Sequence, residues 1–131
     1  IVCIPQSVVY HVGGATLKKE NPMKTYLNFR NNLVMLYKNI PDDKELKRVM
    51  RVRRFWDLVA ALSFVAQGHF AGAKAVFKAH RQYEERRYQY DEARKANKAA
   101  CVLKRIPEQY AKSILLQYYL HFCRKFSQLK W

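Results

Sequence analysis

The 131-residue chain is long enough for one compact domain that buries roughly two thirds of its unfolded surface, so a core can form without disulfides or metal. Its 25 Lys and Arg against 10 Asp and Glu give a net charge of +15, more than solubility requires, which points to an anionic partner: a phosphate-bearing substrate, a nucleic acid or an anionic lipid. Three widely spaced cysteines, Cys3, Cys101 and Cys123, fit neither a disulfide framework nor a metal-ligand spacing and are expected reduced and packed in a cytoplasmic protein; the longest apolar run, 55–66, is broken by Asp57 and Ser63 and falls short of the roughly 20 residues that span a bilayer.

Residues 1–12 are apolar, β-branched and aromatic, and they stop at Gly13-Gly14, as a strand ending in a tight turn reads. No cap or turn precedes them, so the stretch looks cut from a sheet and a truncated start is expected. Val8, Tyr10 and Val12 share one strand face and His11 takes the other.

Asn21-Pro22 is a helix start, Asn as N-cap and Pro at the first helical position, and Met23, Tyr26, Leu27, Leu33, Val34 and Tyr37 recur at helical spacing up to Ile40-Pro41. Asp42-Asp43 caps a second helix running to Gly68, basic at its start and apolar at its end. A third helix begins at Phe70 with the small residues Ala71, Ala73, Ala75 and Ala79, which permit close packing; the charged stretch 81–98 that follows is expected to be exposed or loosely ordered. From Pro107 a last amphipathic helix is predicted, with Tyr110, Ile114, Leu115, Tyr118, Tyr119, Phe122 and Phe126 on one stripe and Lys112, Arg124, Lys125 and Lys130 off it. The expected fold class is mainly α: a helical, bundle-like domain over 21–131, preceded by one short β segment and its glycine turn within 1–20.

Few residues read as chemistry. His11 beside Gly13-Gly14 pairs a titratable ring with a turn that lets backbone approach closely, suited to a divalent metal or a phosphate; the plain alternative is a satisfied histidine of the core or surface. Arg30 interrupts the apolar stripe of the first helix, either lying along the core edge or directed at a ligand, and its guanidinium fork is the better phosphate anchor than Lys24 or the Lys18-Lys19 pair, which also read as a solvated face. Lys47, Arg48, Arg51 and Arg54, with Arg124 and Lys125 of the aromatic C-terminal segment, could face an anionic membrane, each cation near the surface contributing about 1 kcal/mol; ordinary helix packing also accounts for the apolar stripes. There is no zinc-finger spacing, RNA-recognition signature or clear helix-turn-helix, so nucleic acid is not the expected partner. Serines are scattered, no glycine-rich phosphate loop occurs and no paired carboxylates suit a cleft, so a complete active site is absent.

Val9-Tyr10-His11-Val12-Gly13-Gly14-Ala15-Thr16, followed by Asn21-Pro22-Met23-Lys24-Thr25-Tyr26-Leu27-Asn28-Phe29-Arg30-Asn31-Asn32-Leu33, resembles the C-terminal part of bacterial family-2 glycosyltransferases, especially the rhamnosyltransferase-like members that build cell-surface polysaccharide. Phe55-Trp56-Asp57-Leu58-Val59-Ala60-Ala61, Ala73-Lys74-Ala75-Val76-Phe77 with His80, and the segment from Ile106-Pro107 to Leu129 look like the same family's helical tail, so the resemblance covers nearly the whole chain.

The resemblance implies a catalytic domain of the Rossmann-like GT-A fold, to whose sheet the β segment would belong, with the nucleotide site, an Asp-x-Asp metal motif and an acidic base in a part missing from this chain. It implies transfer of a sugar from a nucleotide-diphosphate sugar to a glycan acceptor, with Mn or Mg as cofactor in the full-length enzyme and none bound by this chain alone. His11 matches the histidine near metal and donor diphosphate, Gly13, Gly14 and Thr16 the adjoining loop, and Arg30, Lys24 and Asn31 the segment that faces diphosphate or acceptor. On this reading the chain alone is inactive, and the helical region contributes acceptor or membrane docking at the inner face of the cytoplasmic membrane. Its exposed apolar faces could also pair two copies into a homodimer. The alternative is a membrane-surface or protein-interaction helical module without a catalytic role.

Overall fold

The computed structural model describes Val8, Tyr10, residues 21–102, Tyr110 and residues 112–129. These residues are mainly α-helical and contain no strand. The predicted strand over 1–12 therefore falls outside the described residues apart from Val8 and Tyr10, both exposed. The described residues form two compact units that divide between Cys101 and Val102.

In the first unit the helix starts follow from their caps. α1 (Pro22–Asn39) begins where Asn21 Oδ1 accepts the Met23 amide at 2.8 Å with Pro22 at the first turn, and α2 (Asp43–Ala66) where Asp42 Oδ1 accepts the Glu45 amide at 2.6 Å. α2 ends in a Schellman closure: the Gly68 amide donates to Val65 O at 2.9 Å and the His69 amide to Phe64 O at 2.8 Å. That closure needs a left-handed residue, and Gly68 supplies it at φ 76°. α3 (Phe70–Arg86) follows at once, continues through a 3₁₀ turn (Arg87–Tyr90) and leads into α4 (Asp91–Ala100).

α3 is the central element, packing on both α1 and α2, while α4 folds back along α1. Its small residues allow this: Gly72, Ala73, Ala75, Val76 and Ala79 are all buried, Ala79 completely, whereas Ala71 is exposed. A Cβ on Gly72 would stand 3.2 Å from the Phe64 ring of α2, so only hydrogen permits this approach without the ring giving way. Tyr26, Ala75 and Ala79 form one core cluster with Leu27 and Phe29 against it; Ala61, Ala73 and Val76 form a second, joined by Phe29 and Phe64. Leu33, fully buried, contributes about 2 kcal/mol by leaving water.

Two expectations are corrected here. The stretch 81–98 is mostly exposed, as expected, but not loose: it is helical, and Tyr83 and Arg94 are buried in it. The cause is tertiary, since Arg94 satisfies backbone carbonyls that α1 leaves open at its C-terminus, a pairing no local charge pattern reveals. The long C-terminal helix is also not formed. In the second unit α5 spans only Ile114–Tyr119, with Ser113 Oγ accepting the Leu116 amide at 3.4 Å. The chain then turns at Phe122, whose φ of 53° no helix accommodates, before a 3₁₀ turn (Phe126–Gln128). There the Gln128 carboxamide oxygen accepts the amides of Arg124 and Lys125 at 2.8 and 3.0 Å. Cys101 is exposed rather than packed, and Cys123 is half-buried. No helix among the described residues is long and apolar enough to cross a membrane.

Candidate functional site

His11, Gly13, Gly14 and Thr16 lie outside the described residues. Of the rest, Lys24, Arg30 and Asn31 sit on α1. Arg30 donates from Nε and Nη2 to Asn31 Oδ1 at 3.1 and 2.7 Å, and its guanidinium stands 5.5 Å from the centroid of the Tyr26 ring. Lys78 of α3 lies over the same ring at 5.3 Å. The structure thus joins the half-buried Arg30 to the exposed Asn31 and the buried Tyr26, while part of the guanidinium's fork is already spent on its neighbour.

The basic residues of α2 divide by helical geometry. Lys44 and Arg48 continue, toward the N-terminus, a stripe of Val52, Phe55, Val59 and Leu62, all exposed, Phe55 and Leu62 to 59% each. Lys47, Arg51 and Arg54 instead line a cleft of about 600 Å³ whose opposite wall is α3, the 3₁₀ turn and α4, through Tyr83, Glu84, Arg87 and Arg94. Arg54 is paired with Glu84, to which Arg87 also lies at 3.7 Å. In the second unit Arg124 lies over the Tyr118 ring at 5.5 Å, with Tyr118 and Tyr119 edge to face, and Lys125 is exposed.

Two buried polar assemblies went unassigned in the sequence. The first bridges α2 and α3. Asp57, 3% exposed, accepts from His80 Nε2 at 2.8 Å and lies 2.8 Å from Arg53 Nε, an ion contact rather than an aligned hydrogen bond; Arg53 also covers the Phe29 ring at 5.4 Å. A carboxylate only accepts, so the His80 proton resides on Nε2. The pair fastens α2 to α3. The only signal in the sequence is Asp57 inside an apolar run, four residues after Arg53.

The second assembly centres on Arg94. Its Nη1 donates to Tyr37 O and to Ile40 O, the latter at 2.7 Å, and its Nη2 to Asp43 Oδ1 at 2.8 Å, while the guanidinium stacks 5.0 Å from the Tyr37 ring. Asn97 adds bonds to Lys38 O and Asn39 Oδ1 at 3.2 and 3.1 Å. α4 therefore caps α1, placing a cation at the negative end of its dipole. Hydrogen bonds from Arg94 and Lys98 hold the Asp43 carboxyl below its ordinary pKa. The Tyr37 hydroxyl donates to Asp91, which with burial raises the phenol's pKa, and burial raises that of Tyr83.

Among the described residues no group of three or more His, Cys, Asp or Glu side chains is arranged to hold a metal. The chain matches no protein-family model, no curated protein and no solved structure.

Proposed function

We propose that this chain is the C-terminal region of a bacterial family-2 glycosyltransferase that moves a sugar from a nucleotide-diphosphate sugar to a glycan acceptor in cell-surface polysaccharide synthesis. The observation that carries the reading is the His11-Val12-Gly13-Gly14-Ala15-Thr16 run placed just ahead of the Asn21-Pro22 helix start and the Arg30-Asn31 pair on α1. His11 is the one residue of this segment suited to a divalent metal, so Mn or Mg would find a single ligand here and the remaining ligands elsewhere in the enzyme. When bound, such a cation supplies charge stabilisation to the departing nucleotide diphosphate. Arg30, its plane set by Asn31 and Tyr26, is suited to presenting fixed positive charge toward a diphosphate or acceptor.

Sugar transfer from a panel of nucleotide-diphosphate sugars with Mn²⁺ or Mg²⁺ tests the reading, comparing the full-length enzyme, its His11→Ala variant and the present chain. An active enzyme, a much weakened variant and a silent chain support it. Transfer by the chain alone, or no transfer by the full-length enzyme, overturns it; full activity of the variant makes His11 structural and overturns its site assignment alone.

A second reading, docking on an anionic inner-leaflet membrane surface, is favoured by the exposed stripe Val52, Phe55, Val59 and Leu62 with Lys44 and Arg48 in line with it. Vesicle co-sedimentation that requires phosphatidylserine, weakens with salt and is lost in Phe55→Ser/Leu62→Ser supports it; equal sedimentation with neutral vesicles counts against it.

A further inference from the structure

Neither Lys24, Arg30 and Asn31 of α1 nor the exposed stripe behind the docking reading lines the α2–α3 cleft, so the charge of the cleft is considered in its own right. At about 600 Å³ it has the size of a small-molecule site, with Leu46 and Met50 supplying apolar lining. Five cations line it, Lys47, Arg51, Arg54, Arg87 and Arg94, against two carboxylates, Asp43 and Glu84.

The internal pairings account for both carboxylates. Arg94 is held by Asp43 and by the carbonyls of Tyr37 and Ile40, and Glu84 is shared by Arg54 and Arg87. Lys47 and Arg51 have no ion pair among the described residues, and both are exposed. They stand four apart on α2, on the same side of the helix as Arg54 and one turn before it. Converging charge of this kind in a concave site is wasted on solvent but is matched by a ligand carrying two or three negative charges on closely spaced oxygens.

We propose that this cleft is a binding site for a phosphate-bearing anion of the diphosphate or phosphomonoester type, with Lys47 and Arg51 as the primary contacts and the Arg54–Glu84–Arg87 group as its wall. Arg51 supplies the bidentate fork and Lys47 a point charge. The already committed Arg94 holds α1, α2 and α4 in place behind them.

The same chemistry arises from a soluble diphosphate or from a lipid headgroup, and two arms separate the sources. In the first, pyrophosphate is titrated into the chain by calorimetry in phosphate-free buffer at moderate salt. Saturable one-to-one binding is expected, weakened about tenfold or more in Lys47→Ala/Arg51→Ala and less than about twofold in Lys44→Ala/Arg48→Ala, which removes equal charge from the same helix outside the cleft. In the second, vesicles containing phosphatidic acid are compared with phosphatidylserine vesicles of equal surface charge. Preference for phosphatidic acid, lost in the cleft double variant and competed by pyrophosphate, assigns the site to a lipid phosphomonoester; pyrophosphate binding without that preference assigns it to a soluble ligand. The proposal is overturned if both double variants weaken binding equally, which is the behaviour of diffuse charge, or if neither ligand binds saturably. All four substituted side chains are exposed, and an unchanged far-ultraviolet circular dichroism spectrum confirms that folding is intact.

Discussion

Replacing Arg94 by alanine removes a side chain that reaches from α4 to α1, to Ile40 at the start of the α1–α2 connection and to α2. Two bonds go to the carbonyls of Tyr37 and Ile40, and each such charge-assisted bond contributes about 1.5 kcal/mol net. The stacking on the half-buried Tyr37 ring adds about 1 kcal/mol. Asp43 is largely exposed, so its ion pair is set aside as solvent-screened. The expected cost is therefore about 4 kcal/mol. With an m-value of about 1.5 kcal/mol/M, the urea midpoint followed by circular dichroism falls by roughly 2.5 M. Arg94→Lys is expected to recover less than half of this, because one ammonium lacks the planar fork that bonds carbonyls and carboxylate from opposite nitrogens. A loss below about 1 kcal/mol, or a lysine variant equal to the native protein, would refute the claim that this guanidinium organises the end of α1.

Asp57→Ala is expected to destabilise the first unit by about 2–3 kcal/mol, and a double-mutant cycle with His80→Ala to give a coupling of about 1 kcal/mol; additivity within about 0.3 kcal/mol would show that the pair does not join α2 to α3. Because the Asp43 carboxyl is held below its ordinary pKa, its contribution is present above the unfolded value and fades as pH falls from about 5 toward 3, so Asp43→Asn should flatten the acid limb of a stability profile. Tyr37 and Tyr83 are shifted upward, so their contributions are present below the unfolded value and decline as pH rises beyond about 10; Tyr83→Phe should reduce that alkaline loss, measured by urea denaturation across pH. Gly68→Ala meets no atom within 4 Å and should cost about 1 kcal/mol from left-handed backbone strain alone, whereas a neutral result in thermal denaturation would mean that the turn relaxes.

The first three helices were legible because their signals are local. Asn21-Pro22 and Asp42 put the hydrogen-bond acceptor where a helix start needs it, Gly68 supplies the left-handed angle at an end, and the small residues of α3 mark the face of close approach. The amphipathic stripe of the C-terminal segment was a weaker guide, since apolar spacing up to Phe126 does not say whether a partner surface exists to bury it, and the helix stops at Tyr119.

The amino-acid sequence by itself determined the mainly helical class, the starts of α1, α2 and α3, the surplus of positive charge and the motif run around His11. Tertiary structure alone decided which charges are structural and which remain available. Arg94 and Lys98 find Asp43 across more than fifty positions of chain, Arg54 finds Glu84 across thirty, and Asp57 finds His80 across twenty-three. Lys47 and Arg51 are cations of the same helix as Arg54, yet among the described residues no carboxylate pairs with either where they line the cleft. The reason is physical: ion pairing and desolvation depend on distances set by helix packing, and a linear pattern of charges carries no information about those distances.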